Sequence, residues 1–316
     1  MGNLFNTDNL FFMSSSGHCG LTCPYCLINP VAKNESSLNR DDFAYLFNVF
    51  KNKKNGFIFS GKGDFFASYQ KKDKLFSFIL DHDVEVMLDI NAQFIQECRE
   101  LTPDQLGKIK QVNITMHYHQ LKEKKILNDW AENVKFLYKM KPEIITINTV
   151  MSPPLVQIWE EALAFYKDHV FEKIGKNLLL ICDVHVTRNG AFPEEKEKYL
   201  RELLDQFPFT YMLGAPEVMN TNFIEPVKPK KPTLCPASQR YFRVWNDGTV
   251  QGCIPNEKIA SLGNIKNRDI SVNKKPVKCS DTHHCDCGWA LSLPDLIEMS
   301  WWGKVKSKIE NGWLTP

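Results

Sequence analysis

Short runs of alternating apolar and polar residues, separated by longer helical patterns, set the architecture. Leu10-Phe-Phe-Met13 reads as a first strand, and Gly56-Phe-Ile-Phe-Ser60 as a second that ends in Gly61-Lys62-Gly63-Asp64. Residues 84–91, 111–119, 144–150 and 178–187 read as four more strands. Between them lie helical stretches. In 128–140, Trp130, Val134, Leu137 and Tyr138 share one face at the spacing of a helix. Pro153-Pro154 and Pro193 mark the entries to further helices. Strand and helix in alternation predict a parallel sheet joined by crossover helices.

The phase of the polar residues adds a second expectation. Side chains alternate faces along a strand, and the face that receives helices must be apolar. Val86 and Leu88 alternate with Asp89 and Asn91 on the third strand; Val112, Ile114 and Met116 with Asn113, Thr115, His117 and His119 on the fourth. Ile145 and Ile147 alternate with Thr146 and Asn148 on the fifth, Val184 and Val186 with Asp183 and His185 on the sixth. Four strands with one polar face each describe a barrel whose lumen holds a ligand. Asp89, Asn91, Asn113, Thr115, His117, Asn148, Asp183 and His185 are its candidate lining residues.

Composition narrows the function classes. A formal charge of +2 over 316 residues gives no broad basic field, so no nucleic-acid partner is expected. No apolar run reaches the roughly 18 residues of a membrane span, and the first residues lack the pattern of a signal peptide, so a soluble, cytoplasmic chain is expected. Ten cysteines are the unusual feature. In a reducing compartment they point to metal ligation or catalysis before disulfides. Cys98 and Cys182 stand alone and read as small buried hydrophobes. The others cluster near the two ends of the chain.

The first cluster is Cys19-Gly-Leu-Thr-Cys23-Pro-Tyr25-Cys26, a C-x3-C-x2-C run. Three thiolates on one loop can hold an iron–sulfur cluster and leave one iron open to chelate a small molecule. Structural zinc sites instead pair two such elements across a longer insert. The run, with an aromatic residue before its last cysteine and a strand leading into it, resembles the signature of the radical S-adenosylmethionine (SAM) superfamily. The resemblance implies a partial (β/α)6 barrel of α/β class. It implies a [4Fe-4S] cluster on Cys19, Cys23 and Cys26 whose open iron binds SAM, with Tyr25 near the adenine. It also implies reductive cleavage of SAM to a 5′-deoxyadenosyl radical that abstracts a substrate hydrogen atom. The Gly61-Lys62-Gly63-Asp64 turn resembles the glycine-rich, acid-ended motif that holds the SAM amino group, although Lys62 and Asp64 depart from its usual form. Asp89, Asn91, Thr115 and Asn148 are further candidates for contact with the cofactor.

A Lys/Pro-rich stretch over 226–232 suggests a boundary, with a barrel over 1–225 and a smaller domain over 226–316. In the latter, Tyr241-Phe-Arg-Val-Trp245 and Thr249-Val-Gln-Gly252 flank Asn246-Asp247-Gly248, which predicts a hairpin whose turn residues take positive φ. The hairpin lies between Cys235 and Cys253, and Cys279, Cys285 and Cys287 follow. The C-x12-G-x4-C spacing resembles the twitch or SPASM extension of radical SAM enzymes. That implies one auxiliary [4Fe-4S] cluster on Cys235, Cys253 and two of the last three cysteines; a zinc site with His283 or His284 is the alternative. Trp289, Trp301 and Trp302 are expected to pack this domain against the barrel.

The expected activity is oxidation or epimerisation of a hydroxylated small molecule, sugar-like or nucleotide-linked, with Asp183, His185 or His117 as base. A flavodoxin or ferredoxin is the expected electron donor. With only 18 residues before Cys19, a small molecule is favoured over the alternative of a ribosomal peptide. A non-catalytic iron–sulfur or zinc sensor explains the cysteines but neither the polar lumen nor the glycine turn.

Overall fold

The computed structural model describes residues 6–14, 19–22, 38–60, 63–69, 74–141, 144–151, 155, 157–171, 179–184, 237–252 and 261–273. Its strands are β1 (Asn9–Ser14), β2 (Asn55–Ser60), β3 (Val84–Ile90), β4 (Ile109–Met116), β5 (Ile145–Met151), β6 (Leu179–Val184), β7 (Tyr241–Val244), β8 (Thr249–Gln251) and β9 (Ser261–Asn264). They form one sheet in the order β6-β5-β4-β3-β2-β1-β7-β8-β9. Neighbours from β1 to β6 are all parallel. The expected α/β class, with six parallel strands in sequence order, is the one observed.

The crossover helices begin with α1 (Arg40–Val49), α2 (Phe65–Tyr69), α3 (Leu75–Leu80), α4 (Pro103–Gly107), α5 (Tyr118–Glu123) and α6 (Leu127–Met140), and Trp159–Tyr166 follows β5. Their starts are written locally. Asn39 and Asp42 form a reciprocal capping box at α1, and Thr102 and Gln105 do so at α4, where Pro103 occupies the first turn. Helix α6 buries Trp130, Val134 and Leu137 of the face predicted from spacing, with Ala131 beside them, while Tyr138 is only partly buried.

The phase expectation holds on β3 and β4. Phe11, Met13, Phe57, Phe59, Val86, Leu88, Val112, Ile114 and Met116 all join the main core with the helices. The opposite, inner face carries the other phase. One expected extent is corrected: β4 stops at Met116, and a helix starts at Tyr118. The period changes there from two to helical, since Tyr118 and Leu121 are both buried and the Leu121 N–H donates to the His117 carbonyl. His119 therefore lies on α5, out of the strand's register.

Strand β7 continues the sheet rather than standing apart from it. It pairs in parallel with β1, and Phe11 stacks on Phe57 at 5.1 Å and on Phe242 at 5.0 Å. Each such pair contributes about 1 kcal/mol beyond simple burial. Arg268 adds an ion pair to Asp42 at 3.4 Å, and the Tyr45 hydroxyl accepts from the Ile270 N–H. The hairpin of β7 and β8 forms as expected, with Arg243 opposite Gln251. Its turn differs in one respect: only Gly248, at φ +90°, is left-handed, as in a type I turn followed by a bulge. A Cβ there would lie 2.7 Å from Asn264 Oδ1, so glycine is required twice over.

Candidate functional site

The inner face is layered along the strands. At its N-terminal end Glu85 Oε1 takes Lys54 Nζ at 2.8 Å and Lys110 at 3.5 Å, and Oε2 accepts the Asn6 N–H at 2.6 Å. Burial alone would raise the Glu85 pKa, but the Lys54 hydrogen bond, the Asn6 N–H and the Lys110 charge hold it below the usual range. Above this lies an apolar layer of Leu10, Ile58 and Met87, with Phe12 and Tyr241 against it.

A polar belt follows. Register places Ser14 beside Ser60, Phe59 beside Leu88, and Asp89 beside Asn113, so Ser14, Ser60, Asp89 and Asn113 form one row across four strands. The side chains bond along that row. Asn113 Nδ2 donates to Asp89 Oδ1 at 2.6 Å, Gln111 Nε2 donates to Asn113 Oδ1 at 2.7 Å, and Ser60 bonds Asp89. Burial pushes the Asp89 carboxyl above its ordinary pKa, against the Ser60 and Asn113 bonds. One step further toward the C-terminal end, Thr115 and Asn148 sit side by side in register. Beyond them His117 is driven by burial, with a smaller push from His119, down to a pKa of about 4. It is neutral at pH 7.

Cys19 is held at this C-terminal end. Asn91 Nδ2 donates to Cys19 Sγ at 3.3 Å, and the Gln93 N–H donates to Asn91 Oδ1 at 3.0 Å, which turns the amide nitrogen toward the sulfur. Asp64 fixes the same loop: its Oδ2 accepts the Asn91 N–H at 2.7 Å and its Oδ1 accepts the Ala67 N–H at 3.0 Å. Both carboxylate oxygens thus already receive backbone donors. Gly63 and Ala92 take positive φ, 76° and 56°, at the two bends of this support. Gly20 meets Gln93 and Phe94 so closely that a Cβ would lie 2.8 Å from the Phe94 ring. Thr22 donates through its N–H and its hydroxyl to Gln120 Oε1, both at 3.1 Å, tying the cysteine loop to α5.

Cys19 is one of eight candidate ligands, and the other seven (Cys23, Cys26, Cys235, Cys253, Cys279, Cys285 and Cys287) lie outside the described residues. So do Tyr25, Gly61, Lys62, His185, His283, His284, Trp289, Trp301, Trp302 and the stretch 226–232. Asp183 lies on β6 where the register with β5 shifts, and its side chain is outside the description. Among the described residues no three His, Cys, Asp or Glu converge as a metal site, and no helix is long and apolar enough to cross a membrane. Cys98 is buried, as expected of a small hydrophobe, and burial raises its thiol pKa strongly. Sequence reasoning missed Ser14, Ser60, Gln93, Gln120 and Arg243. Extending the alternation test to the first two strands and the hairpin finds the serines and the arginine; the two glutamines act through loops, where no period exists.

No protein-family model matches the chain, and no curated protein matches it. Among solved structures, one described as native anSMEcpe with bound AdoMet and Cp18Cys peptide aligns at 14% identity and a TM-score of 0.46, covering 96% of this chain and 99% of that one. At that identity and score no residue role passes from it to this chain.

Proposed function

We propose that the chain is a radical SAM enzyme that removes a hydrogen atom from a hydroxylated small molecule, sugar-like or nucleotide-linked, and oxidises or epimerises it. The observation that carries this reading is the placement of Cys19. The first thiolate of the C-x3-C-x2-C run lies on the loop leaving β1, at the C-terminal end of a parallel sheet, with an amide N–H directed at its sulfur. In α/β folds that end of the sheet is where ligands bind.

Cys19, Cys23 and Cys26 would hold the [4Fe-4S] cluster. The donor set fits: thiolates suit iron–sulfur ligation, Asn91 supplies a hydrogen bond to sulfur, and Gly20 lets the loop seat closely on Gln93 and Phe94. When bound, cluster and SAM supply a 5′-deoxyadenosyl radical able to attack an unactivated C–H bond. Tyr25 and the Gly61-Lys62-Gly63 turn are the proposed SAM contacts, with Thr115 and Asn148 at the rim. Asp64, its oxygens committed to two backbone N–H groups, serves by shaping that turn.

The substrate would rest on the Ser60–Asp89–Asn113 belt, whose hydroxyl, carboxyl and amide groups can exchange hydrogen bonds with substrate hydroxyls. The apolar layer beneath keeps water from that end. His117, uncharged at pH 7, has the lone pair needed to take a hydroxyl proton; Asp183 and His185 remain candidates for the same role. Cys235, Cys253 and two of Cys279, Cys285 and Cys287 would hold an auxiliary cluster as electron acceptor, with a flavodoxin or ferredoxin as external donor.

The test is anaerobic reconstitution with iron and sulfide, reduction by dithionite and addition of SAM. The expected product is 5′-deoxyadenosine, carrying deuterium when the substrate carbon is deuterated. Full iron–sulfur loading with no 5′-deoxyadenosine would sink the reading.

A further inference from the structure

Among the described residues, partly buried cations on this fold meet acids, as Lys54 and Lys110 do, or backbone carbonyls, as Lys108 and Lys141 do; the cation on the inner face of β7 is held differently. Lys54 and Lys110 share Glu85, and Arg268 meets Asp42. Arg243 has no carboxylate within ion-pair distance among the described residues. It lies on β7 in register with Phe12, and its neighbours Phe242 and Val244 face the helix-side core, so its side chain belongs to the inner face. There its guanidinium lies 4.0 Å from the Trp245 ring centroid and 5.3 Å from that of Phe12. Its Nε donates to Ser14 Oγ at 3.3 Å.

The clamp is itself fixed. Trp245 Nε1 donates to Gln251 Oε1 at 2.8 Å, and Gln251 is the register partner of Arg243 on β8. Two aromatic rings lie against the guanidinium and a serine accepts from its Nε, which among the described residues leaves the terminal fork to present its N–H donors. The acid of the neighbouring Ser14 row, Asp89, stands three strands from β7, roughly 14 Å or more away, and burial favours its neutral form. Burial also lowers the Arg243 pKa, with no acid opposing it. A guanidinium stays protonated at pH 7, so a desolvated charge is held here that no described group neutralises.

We propose that Arg243 is the anion-binding residue of the substrate site, taking an oxyanion of the substrate, phosphate or carboxylate, in its terminal fork. The proposal rests on the reading of the inner face as the substrate chamber. It adds to that reading that the substrate is charged, with its anionic end on β7 and its hydroxylated part over Asp89 and Asn113. A two-pronged hydrogen bond from guanidinium to oxyanion is the strong form of such contacts.

The experiment labels the full-length chain with phenylglyoxal and maps modified arginines by mass spectrometry. Inorganic phosphate, acetate and SAM are each added at matched ionic strength. Phosphate or acetate, at about ten times its dissociation constant, should slow labelling of Arg243 about tenfold, with exposed Arg40 and Arg240 unchanged; which of the two protects better identifies the oxyanion. In Arg243→Gln, broadening of the phosphate 31P signal should disappear. Equal labelling of Arg243 with and without both anions overturns the proposal, as does protection by SAM alone, which would assign the arginine to the cofactor carboxylate. 5′-Deoxyadenosine formation is scored separately. Protection without it keeps the anion site and removes the radical chemistry; the reverse removes only the anion site.

Discussion

The two ends of the inner face solve the same electrostatic problem in opposite ways. At the N-terminal end a buried carboxylate is met by two lysines and a backbone N–H, and every charge has a partner. Further toward the C-terminal end an arginine lies against two aromatic rings with no acid among the described residues, a carboxyl favours its neutral form, and an imidazole resists protonation. The first arrangement closes the sheet's floor. The second holds polar groups, of which Arg243 has no acid among the described residues. Unbalanced groups are tolerated where binding energy repays them, so the imbalance is in keeping with the proposed working end.

The sharpest way to break the comparison is at the closed end. Glu85→Gln leaves Lys54 and Lys110 facing an amide. Removing one partner of a fully buried pair costs about 3–5 kcal/mol, and with both lysines about a third exposed the expected loss is about 2 kcal/mol. Urea unfolding measures it, and 5′-deoxyadenosine formation per folded molecule should not change. A stability loss within error would mean that this end is not the structural one.

The open end should respond in function first. Asn91→Ala removes the N–H donor at Cys19 Sγ while Asp64 still holds the loop through the Asn91 backbone. Hydrogen bonds to sulfur raise a cluster's reduction potential. At a fixed solution potential the ratio of reduced to oxidised cluster should therefore fall severalfold, within the tenfold that about 59 mV represents for one electron. A redox titration followed by electron paramagnetic resonance reads this directly; an unchanged midpoint would mean that Asn91 only shapes the loop.

The smallest expected effect is in acid. His117 titrates at about 4 in the fold against an ordinary 6.5, so the unfolded chain binds a proton more readily in that window. The stability it contributes is complete above pH 6.5 and is lost as pH falls toward 4. His117→Gln should flatten that limb of the stability profile. His119, whose pKa burial also lowers, keeps its own share of the slope.

Much of this layout was legible in the residues because two-residue periodicity reports directly on faces. The alternation of Val112, Ile114 and Met116 with Asn113 and Thr115 sorted core from inner face. The pattern misled at His117 and His119, since a polar residue after a strand looks alike whether the strand continues or a helix starts. It was silent on register. Only strand pairing shows that Ser14, Ser60, Asp89 and Asn113 share one level, and that level turns four scattered residues into a candidate site. The support of Cys19 was beyond reach for a related reason. Asn91, Asp64, Gln93 and Gln120 converge through loops from four separate places in the chain.

The pairing of β7 with β1 has a consequence for how such a protein is made. Strand β1 leads toward the cysteine loop, and its outer edge is matched by a strand more than two hundred residues later. Until that late segment arrives, β1 presents unsatisfied backbone groups and the rings of Phe11 and Phe12, the kind of open edge on which nascent chains aggregate. Closure of that edge thus waits on a segment made more than two hundred residues after β1.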